Sequence, residues 1–330
     1  MVSAHFRTTL VNGRQGDPAV LLEMPQRRHA MLFDAGDLAA LSMRAALNVT
    51  HVFLSHGHLD HLFGFDRLLR VNIGREQHIT IHGPPGTIAH IGHRLRGYEW
   101  DLVDRIVPVL RFTAYELHGD TLRATTFILR DGFEPEALPD TRAPGGLLLD
   151  APGLTVRAAA LIHHGPVLAF RAEASAMAVI DADAVAVRGW STGPWVAALK
   201  PAALAGADAA ETPGGLLPLA TLGDVVRVLP GASLAYVTDV ADTPANRAGI
   251  IALAQGVDTL FIEAPFLAAE AERAQARGHL TARAAGEIAC AAGVARVEPF
   301  HFSARHEQAV VLAEVEEGFG RQLFGPRSIA

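Results

Sequence analysis

The sequence predicts an α/β fold of two β-sheets faced by helices on both outer sides. Three observations carry that expectation. Strand-like runs alternate with helical periods at both ends of the chain, strand-like runs dominate the middle, and half of the 330 residues are hydrophobic, enough to bury a large core. We expect one domain over residues 1–330 with an inserted loop or arm at about 183–217.

Taken in order, "HFRTTLV", "AVLLEM" and "HAMLFDAG" read as short strands separated by turn residues, the edge of a sheet. The helical period "LAALSMRAAL" follows, then the strand "HVFLS", a crowded polar loop and a helix through "HLFGFDRLLR". The strand "HITIHG" runs into "PPGT", where Pro84 and Pro85 suit a turn entering the helix "IAHIGHRLRG". In the middle, "RIVPVLRFTAYEL", "LRATTFILR", "LTVRAAALIHHG" and "VLAFRAE" read as strands, interrupted by the Gly/Pro-rich connection "EPEALPDTRAPGGLLLDAPG". A second loose stretch, "KPAALAGADAAETPGGLLP", follows a short helix and reads as a mobile arm or long loop. Alternation then returns: strands "SLAYVTD", "TLFIEAPF" and "ARVEPFHF", with helices at "ANRAGIIALAQ", "LAAEAERAQ", "ARAAGEIACAA" and "HEQAVVLAEVEEGF".

Composition excludes several classes. No apolar stretch reaches eighteen residues and the start lacks a signal-type segment, so the expectation is a soluble, cytoplasmic protein with no membrane partner. Cys290 is the only cysteine, which rules out an internal disulfide and a cysteine-based zinc site; in its Ala-rich run it reads as a small buried helix residue. Net charge is -7 and Lys200 is the only lysine, a poor global footprint for binding nucleic acid.

Chemistry concentrates in "SHGHLDHLFGF", where His56, His58, Asp60 and His61 fall within six residues directly after an apolar strand. Such side chains cost free energy to bury without water or a cation to satisfy them. Alternation along an extended segment puts His56, His58 and Asp60 on one face, and the pattern suits two metal ions, His56 and His58 on the first, Asp60 and His61 on the second. Further polar residues end apolar runs, where α/β folds place their chemistry: His163 or His164, Asp239, Glu263 and His301. We read His51, His78, His82, His90, His93 and His306 as strand-end or surface histidines, and Phe63 and Phe65 as core packing.

With these residues in view, the chain resembles a metallo-β-lactamase-fold hydrolase and, within that superfamily, the ribonuclease Z family. "HGHLDH" meets the signature H-x-H-x-D-H. Around it, in family order, stand "LFDAGD" before it and "FGFDRLLR", "ITIHGPPGT", "HHGPVLAF", "GWSTGPWVAALK", "YVTDV", "FIEAPF", "GHLTARAAGEIA" and "EPFHFSARH" after it. The resemblance implies an αββα four-layer sandwich and a dinuclear site that removes 3′ trailers from tRNA precursors with metal-activated water. It implies that one ion is held by His56, His58, His163 and a shared Asp239, and the other by Asp60, His61, Asp239 and His301. His163 is chosen over His164 because His-x-x-Pro-x-Leu-x-Phe counts from His163 to Phe170. Zinc is the expected metal, with manganese or iron as alternatives.

By the same resemblance His279 contacts the phosphate and aids the leaving group, Glu263 orients His279, and Asp60 orients the nucleophile or takes its proton. A homodimer is the family precedent. Departures include Ile262 and Pro265 around Glu263, and His306 in place of a final Tyr. The segment matching the family's RNA-gripping arm carries Arg171, Arg188 and Lys200 against Glu173, Asp181, Asp183, Asp208 and Glu211, so it is not a basic clamp. An alternative substrate is therefore a small phosphodiester of the cyclic-nucleotide type; a non-catalytic metal-binding module is the third reading.

Overall fold

The computed structural model describes residues 5–24 and 29–323; the first four residues of the N-terminal stretch examined for a leader lie outside them. The first sheet has eight strands in sequence order: β1 (Arg7–Leu10), β2 (Val20–Met24), β3 (His29–Phe33), β4 (Val49–Phe53), β5 (Gln77–Gly83), β6 (Leu110–His118), β7 (Thr121–Ile128) and β8 (Pro135–Arg142). The chain then crosses to β9 (Leu147–Ala151), β10 (Leu154–Ile162) and β11 (Pro166–Ala174). An inserted segment carries β12 (Met177–Ile180), β13 (Ala209–Thr212), β14 (Gly215–Pro218) and β15 (Val226–Leu229). The second sheet is completed by β16 (Ala232–Val237), β17 (Thr259–Glu263) and β18 (Arg296–Phe300), in the order β18-β17-β16-β11-β10-β9.

Three apolar clusters show why these elements stack in four layers. Alternate residues of one strand face opposite ways, so Leu32, Val52, Ile79, Ile81 and Phe112 meet Ala46, Phe65, Leu68, Ile91 and Leu95 of the outer helices. Their strand neighbours Phe33 and Phe53 meet Val156, Phe170, Leu234 and Tyr236 between the two sheets. On the far side Ala235, Val237, Leu260, Ile262 and Val297 are covered by Ile250, Ile288, Val311 and Val315 of three helices. The two-sheet, helix-faced expectation is met.

Local differences have identifiable causes. The helix expected through "HLFGFDRLLR" is two, Leu59–Leu62 and Phe65–Asn72, separated at Gly64. A Cβ on Gly64 would meet the Gly36 carbonyl and Leu38, so only glycine fits there. The Gly/Pro-rich connection holds β8 and β9; Pro135 and Pro139 are tolerated because β8 is an edge strand. The stretch read as a mobile arm contains the end of the helix Trp195–Leu204 and the hairpin β13–β14. It is held by an apolar cluster of its own, with Val185, Leu199, Ala210, Leu222 and Val225. Phe65 is in the core, but Phe63 is 54% exposed, and Cys290 lies on an exposed rather than buried helix face. Among the described residues no helix is long and apolar enough to cross a membrane.

Of two histidines read as strand-end or surface residues, one stands inside and the other, mid-strand, is half-buried. His82 on β5 is buried between Phe53 and Tyr115, ring centroids 5.1 Å from each, and neither ring nitrogen has a hydrogen-bond partner. His51 on β4 stacks on it at 6.1 Å. Burial, then the neighbouring His51, pushes the His82 imidazole down to about 3. Burial with His78 and His29 nearby pushes His51 to about 4.

An unfolded imidazole titrates near 6.5, so below that pH the unfolded chain binds protons the native protein refuses. Stability is therefore full above the unfolded value and falls with acid. We expect His82→Leu to flatten the decline, its unfolding free energy gaining on the parent by about 1.4 kcal/mol per pH unit between pH 6 and 4.5. Urea unfolding across that range is the measurement; parallel curves would contradict it.

Candidate metal centre

The site lies where strand ends converge. Strands β3 and β4 run parallel, as do β16, β17 and β18. Asp34 follows β3, Ser55 to His61 follow β4, Asp239 follows β16, Glu263 ends β17 and His301 follows β18. His163 follows β10, whose hairpin partner β11 donates the Leu168 amide to the Ser55 carbonyl at 2.9 Å, tying the second sheet to the histidine loop. Asp34, Asp239 and His301 have φ of 57°, 46° and 58°. Left-handed backbone is strained for residues with a Cβ, and here it turns each side chain inward from its strand end.

The side chains gather in groups whose donor atoms lie within 4.8 Å of one another: His56, His58, His163 and Asp239; Asp60, His61, Asp239 and His301; and Asp239, Glu263 and His279. Asp239 belongs to all three. Its Oδ1 is 2.9 Å from His301 Nδ1, and its Oδ2 is 3.3 Å from His61 Nε2 and 3.6 Å from His56 Nε2. Asp60 Oδ2 is 3.5 Å from both His61 Nε2 and His301 Nε2. His164 is exposed and in none of these groups. The N-cap position of the helix after the loop is His58, with no side-chain cap, and Asp60 lies within the first turn, its carboxylate in the cluster.

The carboxylates and imidazoles of the cluster shift one another in opposite directions. Burial alone would push the Asp239 carboxyl up, yet His301 and His61 hold it well below the usual range. Asp60 is lowered in the same way: burial opposes it and the bonds to His301 and His61 outweigh burial. Burial would likewise lower His61 and His301, but Asp239 raises both well above the ordinary value, with Asp34 adding to His61 and Asp60 to His301. Burial, with His61 beside it, drives His56 down to about 3.

Carboxylates and imidazoles packed this closely form a donor set whose negative charge a divalent cation would balance. The buried His56 Nε2 has no hydrogen-bond partner, with Asp239 Oδ2 3.6 Å away, a costly arrangement that coordination would relieve. Nitrogen and carboxylate donors without sulfur suit zinc, manganese or iron. The residues fit a pair of divalent ions.

Outer partners fix the donors. His61 Nδ1 is 2.8 Å from Asp34 Oδ2, which leaves Nε2 for the centre. Asp34 also accepts from the Ser55 amide (2.6 Å), the Ser55 hydroxyl (2.8 Å) and the Tyr236 hydroxyl (2.7 Å). His163 Nδ1 donates to the Gly278 carbonyl at 2.7 Å. The fully buried Glu263 accepts from the Val240 and Leu280 amides (3.0 and 3.1 Å) and holds His279 Nδ1 at 2.7 Å. His279 is raised: burial opposes this, and Glu263 prevails. Asp34, within "LFDAGD", Tyr236 and Gly278 are functional residues without an assigned role in the sequence; of these, only an Asp directly after an apolar strand was a local signal.

Outer partners set ligand orientation and basicity, and losing one costs about 10- to 100-fold in metal affinity. We expect Asp34→Asn to lose metal to a competing chelator at a concentration lower by that factor, with Tyr236→Phe milder. Metal retained per chain across a chelator titration is the readout; equal retention in parent and Asp34→Asn would contradict the role given to Asp34.

A β-lactamase superfamily domain model matches residues 30–302. A ribonuclease Z from Deinococcus radiodurans is 33% identical over 286 residues, 84% of this chain and 84% of that protein. The metallo-β-lactamase-fold protein YhfI from Bacillus subtilis superposes with a TM-score of 0.56 at 16% identity, covering 95% of this chain and 93% of the other. The short form of human tRNase Z superposes at 0.52 and 18% identity, covering 92% and 94%. Those two likenesses show the fold; together with the match across most of the sequence, they place the chain in the β-lactamase superfamily and, within it, in the ribonuclease Z family.

Proposed function

We propose that this protein is a metal-dependent endoribonuclease that removes 3′ trailers from tRNA precursors, acting in the cytoplasm. One observation carries the reading: in a chain 33% identical to a ribonuclease Z, two complete donor sets meet at Asp239, and the pair His279–Glu263 adjoins them. His56, His58, His163 and Asp239 would hold one ion, and Asp60, His61, Asp239 and His301 the other, zinc being the expected metal. Such a pair, when bound, supplies Lewis acidity toward the phosphodiester and makes water a nucleophile at neutral pH.

The chain's own groups do the rest. Asp60 is 41% exposed at its side chain, open enough to orient an incoming water and accept its proton. His279 is fixed through Nδ1 by Glu263, so Nε2 is the atom left to deliver a proton to the departing oxygen. Glu263, pinned by two backbone amides, cannot swing away, which keeps that imidazole in one orientation.

A second reading, hydrolysis of a small phosphodiester, is favoured by the inserted segment's charges. Arg188 is bound twice by Asp224 (2.9 and 2.7 Å) and Arg227 lies 3.9 Å from Asp181. Among the described residues of that segment, Lys200 is left as the cation without an ion pair, so the arm offers little to a phosphate backbone.

The two readings separate in one assay of the metal-loaded protein on a tRNA precursor and on a small chromogenic phosphodiester. Cleavage of the precursor at the trailer junction is expected, abolished by His61→Ala. His279→Ala should lower kcat by about 10²- to 10⁴-fold while metal content stays as in the parent. Turnover of the small diester alone would overturn the tRNA reading in favour of the second.

A further inference from the structure

The lips of the centre are apolar, and nothing in the proposed chemistry uses them. Leu59, Phe63 and Ile162 are three of the twelve large hydrophobic side chains exposed among the described residues, at 68%, 54% and 56%. Each lies within two residues of a member of the donor sets, so they form a feature of the site and not scattered surface.

Leu59 sits between His58 and Asp60. The helical backbone continues through Phe63 (φ −57°, ψ −40°), so Leu59 and Phe63, four residues apart, share one helix face, and Phe63 projects between the directions of Leu59 and Asp60. Ile162 lies on the second sheet beside His163, whose ring centroid is 5.4 Å from that of His58, the neighbour of Leu59. It has the parity of Leu154, Val156 and Ala158, the side of β10 turned toward the first sheet, and lies just before His163. The mouth therefore has a leucine and a phenylalanine on one lip and an isoleucine on the other, with a polar floor between them.

We propose that this rim holds the nucleobase adjoining the cleaved phosphate, stacking it on Phe63 and clamping it between Leu59 and Ile162. The inference rests on the ribonuclease reading above. A phosphodiester seated on the donor sets brings its attached nucleoside to the lips. The base is the part of a nucleotide with flat, weakly hydrated faces, and aromatic and aliphatic side chains grip such faces whatever the base identity. Pairing in a duplex would hide those faces, so the cleaved junction must enter unpaired.

The test compares three tRNA precursors: unmodified, abasic immediately 5′ of the cleaved phosphate, and abasic immediately 3′ of it. We expect the Leu59→Ser/Phe63→Ser variant to lose about 5- to 100-fold in kcat/KM on the unmodified precursor, mainly through KM. The parent's advantage should collapse on one of the abasic precursors. Phe63→Trp should retain or improve KM on the unmodified RNA. Metal content and thermal unfolding of each variant report on folding independently, and both side chains are exposed.

No loss, or an equal loss on all three precursors, would overturn the rim as a base-binding site while leaving the ribonuclease reading intact. Failure of the parent to cleave any of the three would overturn the ribonuclease reading, and this inference with it.

Discussion

A single buried carboxylate holds the molecule's working end together. Asp34 comes from the first sheet, yet it accepts the hydroxyl of Tyr236, a residue 202 positions later on the second sheet. It also accepts the amide and hydroxyl of Ser55 and meets the ring of His61. A carboxyl group with no exposure is stable only if its oxygens are satisfied, and here four hydrogen bonds do so. Because those bonds come to a residue of the first sheet from the second sheet and from the histidine loop, the requirement to satisfy Asp34 ties the two halves together.

The same logic repeats one layer further in. Asp239, Glu263 and His301 stand at the ends of three parallel strands, and strand pairing fixes their separation before any side chain turns. Left-handed backbone at Asp34, Asp239 and His301 then stores strain where the donors must point inward. Rigid sheets supply position and strained strand ends supply direction for the donor sets.

Much of this was legible in the sequence, and the exceptions are instructive. His56 to His61 could be read because their spacing is local, and Asp239, Glu263 and His301 because each ends an apolar run. Asp34's partners could not, since a hydrogen bond across 202 residues leaves no periodic trace. Strands β8 and β9 hid in a Gly/Pro-rich connection because composition reports turn chemistry more strongly than edge pairing. Burial of single residues was the weakest inference: Phe63 and Cys290 had apolar neighbours in sequence and face solvent, while His82 is polar and lies inside. In each case the tertiary neighbour, absent from the local window, decided the outcome.

The exposed strand β8 bears on the protein's behaviour at high concentration. It closes one side of an eight-stranded sheet, where unpaired backbone groups invite another chain to add itself and begin a fibril. The strand reads "PEALPDTR": two prolines that lack the amide such an addition needs, and charges of both signs at Glu136, Asp140 and Arg142. The prolines and charges at this exposed edge disfavour the addition of another strand.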